Sequence, residues 1–236
     1  NLSGFVVREI FYEMTKLPDN PKIGLWAGSR MYRGDDIYLF DSWIFDNQNI
    51  LALGAFYRGD ISSEFAVGFR SSTSYTDDST NPALFNPSSP QRYIFINKEE
   101  YKFADNQRIK MNLEFQVVSK GTANYGAANG PELNMPTAYG LMAGLQHGWA
   151  VDGEFFNNIF VNYGYGDLDG GFRTFGYPVS TVVAGTPMTL NDVFQRRESQ
   201  ELLLASGGGY ELKGINSGIQ WGLIYDNSFR KDLERL

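Results

Sequence analysis

The sequence predicts an all-β chain of antiparallel strands. Apolar and polar residues alternate with period two in roughly ten segments, each about as long as a strand needs to be. The connections between those segments are short and long by turns. No segment sustains a 3.6-residue period, apart from a short helical turn expected at 190–197.

The clearest strand runs from Ile109, where Ile109, Met111, Leu113, Phe115 and Val117 share one face and Lys110, Asn112, Glu114 and Gln116 share the other. Ile219, Trp221, Leu223 and Tyr225 alternate in the same way with Gln220, Gly222, Ile224 and Asp226. Leu51, Leu53, Ala55 and Tyr57 oppose Ala52, Gly54, Phe56 and Arg58, and Phe65, Val67 and Phe69 oppose Ala66, Gly68 and Arg70. Further strands are expected at 5–14, 23–32, 92–97, 139–147, 155–165 and 201–210. Leu17-Pro18-Asp19-Asn20-Pro21 and Phe103-Ala104-Asp105-Asn106 read as tight breakers. Residues 71–90, 120–136 and 167–200 are long polar stretches rich in Ser, Thr, Asn, Gly and Pro, longer than ordinary hairpin loops. There is no internal repeat at a fixed period and no dividing linker, so 1–236 reads as a single domain.

Composition removes several classes. The 236 residues include 20 Lys+Arg against 27 Asp+Glu, a net charge of −7 that disfavours nucleic acid as a partner. With no Cys, the chain has no disulfides, no Cys-ligated metal and no thiol nucleophile. The single His, His147, cannot build a multi-histidine metal site and reads as an interfacial hydrogen-bonding residue. Asp167 and Asp169 lack the further acidic ligands of a calcium loop. No run approaches the ~18 apolar residues of a spanning helix. There is no Gly-x-Ser-x-Gly, phosphate-cradling loop or histidine metal motif. We therefore expect no enzyme, no cofactor and no metal.

Period-two patterning fits two geometries. A β-sandwich turns its apolar faces inward, whereas a membrane barrel turns them to lipid and lines a lumen with the polar ones. The alternation of short turns and long loops favours the barrel. So do aromatic residues near strand ends (Trp26, Tyr57, Trp149, Tyr163, Tyr165 and Tyr225), which suit interfacial girdles. The polar faces carry Gly, Ala, Asn and Gln as often as charges. A soluble or surface sandwich that binds carbohydrate, and a plugged outer-membrane barrel acting as scaffold or receptor, remain the alternatives.

The run Leu25-Trp26-Ala27-Gly28-Ser29-Arg30-Met31-Tyr32, followed by Asp36-Ile37-Tyr38-Leu39-Phe40-Asp41, resembles the signature segment of the maltoporins, sugar-specific porins of Gram-negative outer membranes. In that family a Trp-Ala-Gly-x-Arg-x-Tyr strand leads into an inward-folded loop of the form Asp-Val-His-x-x-Asp. Arg8-Glu9 is similar to the family's Arg-Glu pair on the preceding strand. Phe156-Asn157-Asn158-Ile159-Phe160-Val161-Asn162-Tyr163 resembles a later family strand, and 201–226 the hairpin after its long mid-chain loop. The family closes its barrel with eighteen strands. The resemblance therefore implies that this chain is an incomplete stretch of such a barrel, with an inward-folded constriction loop.

The resemblance further implies passive diffusion of sugars or oligosaccharides through a homotrimer in the outer membrane of a Gram-negative bacterium, with lipid around it. It assigns Arg8 to the polar track on the wall. It places Asp36, Tyr38, Asp41 and Trp43 in the constriction loop, Trp43 at an aromatic tip position. The family's Arg two residues before the first loop Asp is Gly34 here, with Arg33 one step earlier. The family's His is Tyr38, which keeps a polar tip and adds stacking area. Phe160 shares the polar face with Asn158 and Asn162, so it would set an aromatic ring in a polar lumen. Arg58, Arg70, Arg92, Arg108 and Lys110 fall at or near polar strand faces.

Overall fold

The computed structural model describes residues 9–33, 36–37, 42–43, 47–71, 85–87, 91–125, 132–135, 137–151, 154–166, 200–215 and 217–228. In chain order the strands are β1 (Ile10–Met14), β2 (Ile23–Arg33), β3 (Asp36–Ile37), β4 (Ser42–Trp43), β5 (Asn47–Arg58), β6 (Ile61–Ser71), β7 (Phe85–Pro87) and β8 (Gln91–Ala104). They continue as β9 (Gln107–Val118), β10 (Gly121–Tyr125), β11 (Glu132–Met135), β12 (Ala138–Val151), β13 (Phe155–Gly166), β14 (Gln200–Leu212) and β15 (Ser217–Ser228). Strands are present in all ten places expected from the alternation, most of them extended by a few residues; the one expected at 5–14 is seen over Ile10–Met14, and residues 5–8 lie outside the described residues. They form one ten-stranded sheet in the order β1-β2-β5-β6-β8-β9-β12-β13-β14-β15, every pairing antiparallel. Among the described residues β1 and β15 are its edges and do not pair with each other. The helical turn expected at 190–197 and the acidic pair Asp167 and Asp169 lie outside the described residues.

Connections at one rim are short: Gly59-Asp60 joins β5 to β6, and Asp105-Asn106 joins β8 to β9. At the other rim they are long. Two of the long connections are not independent. β7, from the first, pairs with β10, and β10 with β11, in a three-stranded sheet separate from the main one. Bringing two loops together in this way satisfies backbone donors and acceptors that would otherwise depend on water.

The two faces of the main sheet are inverted relative to a soluble protein. On β9, Met111, Leu113 and Phe115 are 40%, 38% and 40% exposed, while Asn112, Glu114 and Gln116 are 3%, 2% and 0% exposed. The same holds on the neighbours. Leu51, Leu53, Phe65, Val67, Phe95, Leu141, Leu145, Ile159 and Val161 all stand in the open, whereas Gln146, Asn162 and Glu201 are buried on the opposite side. Ser63, Asn97 and Glu99 form a small hydrogen-bonded polar group on the outward face, but in water the rest would expose apolar surface at ~25 cal/mol for each Å², far beyond the patches that soluble monomers tolerate. The apolar face is therefore the lipid face, and the sandwich reading fails on this point.

Aromatic residues edge the outward face at both rims. On the short-turn side stand Tyr57, Tyr101, Phe103, Trp149 and Tyr210, and on the long-loop side Phe69, Tyr93, Tyr139 and Tyr165, with mostly aliphatic residues between. That distribution matches interfacial belts flanking a hydrocarbon band. His147 faces outward too. It lies 3.2 Å from Gln107 Oε1 and its ring stacks on Phe103 at 6.0 Å, as suits an interfacial hydrogen-bonding residue.

Candidate functional site: the inner wall and the loop that crosses it

The inner face is built from the even-numbered positions of β2, β5, β6, β8, β9, β12 and β13. Its β2–β8 half holds an apolar cluster of Trp26, Ile50, Ala52, Phe56, Ala66, Ile94 and Ile96. Trp26, expected in the outer girdle, is here instead and only 2% exposed. Its place is explained by parity and space. It alternates with the outward Leu25, and its cross-strand partner is Gly54, where an added Cβ would stand 2.1 Å from the indole Nε1. The other aromatic residues expected in the girdle (Tyr57, Trp149, Tyr163, Tyr165 and Tyr225) fall on the outward face.

A band of charge runs across the same wall. Arg30 reaches Glu13 Oε2 at 3.4 Å and Glu64 Oε1 at 3.5 Å, and Arg58 approaches Glu64 Oε2 at 3.8 Å. The Arg30 guanidinium lies 5.0 Å from the centre of the Phe11 ring and 5.2 Å from that of Trp26, and Arg58 lies 4.5 Å above Phe56. Cation–π contact and ion pairing together hold both guanidinium groups beside the wall, Arg58 the more exposed of the two. Further along, Lys98 sits directly across from Glu64 and Asn112. Lys110 lies 3.8 Å from Glu100.

From β9 onward amides join the charges on the wall. Gln146 Nε2 donates to Asn158 Oδ1 at 2.9 Å, and Gln116 Nε2 donates to Glu114. Arg108 lies across from Gly148 on this face. The result is a row of fixed donors and acceptors at many positions, with no cluster of metal-ligating residues among the described side chains.

The connection between β2 and β5 does not stay at the rim. Its short hairpin β3–β4 pairs Asp36 with Trp43 and Ile37 with Ser42. Ile37 is 1% exposed and packs with Phe160, Leu203 and Ala205, on β13 and β14. Along the sheet, β14 is seven strand steps from β2, about 34 Å at ~4.8 Å per step. Ile37 is only four residues past Arg33, a reach of at most ~14 Å. Both statements hold only if the sheet curls so that the two walls face each other and the loop spans the gap. Burying this one isoleucine contributes about 1.5–3 kcal/mol to holding the loop there.

The residues singled out from sequence fall as follows. Phe160 is on the inner wall and 0% exposed, in contact with the loop through Ile37; its neighbour Ile159 faces outward. Arg33 ends β2, and Asp36 and Trp43 are paired in the loop hairpin, with their side chains outside the described set. Arg8, Tyr38 and Asp41 lie outside the described residues. Arg58, Arg108 and Lys110 are on the inner wall. Arg70 and Arg92 are cross-strand partners by backbone register, and their side chains are not described. Sequence reading missed Glu13, Arg30 and Glu64 as one ion-paired group, although their shared face could be read from parity once the strand pairing was known. It also missed Ile37, which was passed over as a loop residue.

An antiparallel sheet with its apolar face outward, its charged and amide face inward, aromatic belts at both rims and a loop folded across the concave side defines the wall of an outer-membrane porin. The profile of the LamB porin family matches residues 2–234, and the chain belongs to that family. The LamB porins are outer-membrane β-barrels of Gram-negative bacteria through which sugars diffuse; they are channels rather than enzymes. No curated protein matches the chain.

Proposed function

We propose that this chain forms a maltoporin-like channel wall through which oligosaccharides pass down their gradient, working as a homotrimer in the outer membrane. The observation that carries the reading is the loop pinned across a wall of fixed charges and amides. It narrows the path at a level where hydroxyl groups meet donors and acceptors on several sides. Sugar transit needs weak exchange at many points, because a single tight site would trap the solute. Arg33, Asp36, Tyr38, Asp41 and Trp43 supply the constriction in this reading, Arg8 belongs to the polar track on the wall, and Phe160 underlies the loop from the wall.

The charges suit this task. Arg30 and Arg58 are each held by a carboxylate and a ring, so neither must reorganise when a sugar hydroxyl replaces water beside it. The aromatic share of recognition falls to Trp43 and Tyr38, whose rings can lie against the apolar faces of pyranose units.

Single-channel conductance in planar bilayers, titrated with linear oligosaccharides, tests the proposal. Stable steps in threes, closed saturably by sugar, are expected, and Trp43→Ala should weaken the block while leaving the steps intact. Steps indifferent to every sugar would reduce the reading to a general porin. No steps from protein folded in the bilayer would mean a plugged barrel serving as scaffold or receptor.

A further inference from the structure

The geometry points to Ile37 as a latch: the positioning residue that pins the inward loop to the far wall and thereby sets the aperture that solutes meet. The inner wall on β13 and β14 carries polar side chains at Asn158, Asn162 and Glu201. Within it Phe160, Leu203 and Ala205 form an apolar island, which is of no use for exchanging hydrogen bonds with hydroxyl groups. The loop delivers one aliphatic side chain to this island, and the four residues close into a single buried cluster.

Gly207 completes the socket. A Cβ added there would lie 3.1 Å from Ile37 Cγ2 and 3.4 Å from Ile37 Cβ, so the isoleucine occupies the space that a side chain at 207 would need. The island, the missing side chain at 207 and the burial of Ile37 are explained together by one docked contact. The aperture part of the proposal rests on the channel reading above; the docked contact does not.

The absence of Cys makes a direct test available, because any thiol introduced is unique. In the double variant Ile37→Cys with Gly207→Cys the two Cβ atoms would stand about 3.4 Å apart, just below the ~3.5–4.5 Å that disulfides span, so a shift of a few tenths of an ångström closes the bond. Mild oxidation of the full chain folded in detergent or lipid should give a reductant-reversible intramolecular crosslink. The locked channel should keep wild-type conductance with lower current noise. Ile37→Ala should fold, as judged by heat-modifiable gel migration, and show larger and noisier steps. If the loop is then docked about a tenth of the time, sugar block weakens about tenfold, since apparent affinity scales with the competent fraction.

Failure of the folded double variant to crosslink would overturn the latch. So would Ile37→Ala channels with unchanged step size and noise. A wild-type channel indifferent to sugar would sink the oligosaccharide reading instead, while the crosslink and the noise would still decide the latch.

Discussion

The two faces of β9 are made from one continuous stretch of chain, yet they answer to different solvents. Leu113 points outward between Asn97 and Ala143 and stays exposed, whereas Asn112, one residue away, is buried opposite Lys98. In a soluble sheet the same alternation would put Leu113 in the core and Asn112 in water. What separates the two outcomes is the register of the whole sheet relative to its curl. Because a one-residue slip exchanges the faces, that register is strongly specified wherever one side must meet lipid. The inner wall is not polar throughout, for it also holds the apolar cluster around Trp26, the buried Met142 and the island that receives Ile37.

The sharpest way to break this comparison is to place a charge on the lipid side. Leu113→Arg should cost about 2–4 kcal/mol of folding stability in bilayers, measured by denaturant titration of protein folded into lipid vesicles. Gly54→Val strikes the inner wall through packing rather than charge, because the new side chain meets the Trp26 indole. The same titration should show a loss of about 1–3 kcal/mol for it. Lys110→Arg keeps a cation on the same strand but on the other face, beside Glu100. Stability should move by less than ~0.5 kcal/mol. A cost for Lys110→Arg equal to that of Leu113→Arg would erase the distinction between the faces.

Two smaller effects sharpen the electrostatic side. Glu64→Gln removes the carboxylate that Arg30 and Arg58 share, leaving their positive charge less compensated. The reversal potential in a salt gradient should shift toward anion preference, with the step size nearly unchanged. Lys213 lies in the β14–β15 turn, where its hydrogen bond to Glu154 raises its pKa above the usual 10.5. A raised folded value means that the pair stabilises the turn below pH 10.5 and that this contribution fades as pH climbs through the folded pKa. The group is fully exposed, so Lys213→Ala should leave the denaturation midpoint at neutral pH unchanged within error.

Much of this architecture was legible in the sequence because it is local. Alternation over ten residues marks strands such as β9 and β15 and divides each into two faces. The motif from Leu25 to Asp41 marked the strand and the inward loop by resemblance, and the structure shows a hairpin there that reaches the opposite wall. Elsewhere the signal is not local. Trp26 was misplaced because its nearness to a strand end was weighed without its parity, and without knowledge that Gly54 lies beneath it. The pairing of β7 with β10 joins residues more than thirty positions apart and leaves no trace in either segment. Ile37 reads as one of several apolar residues in its loop until the curl of the sheet brings β14 within its reach.

The most direct test of the central claim is a scan of single cysteines through positions 109 to 117 of the otherwise cysteine-free chain, each carrying an environment-sensitive label in lipid vesicles. The account predicts a strict alternation. Labels at 109, 111, 113, 115 and 117 should be quenched by lipid-borne quenchers, and labels at 110, 112, 114 and 116 only by water-soluble ones. The reverse alternation, or labels at all nine positions responding to the aqueous quencher alone, would contradict it.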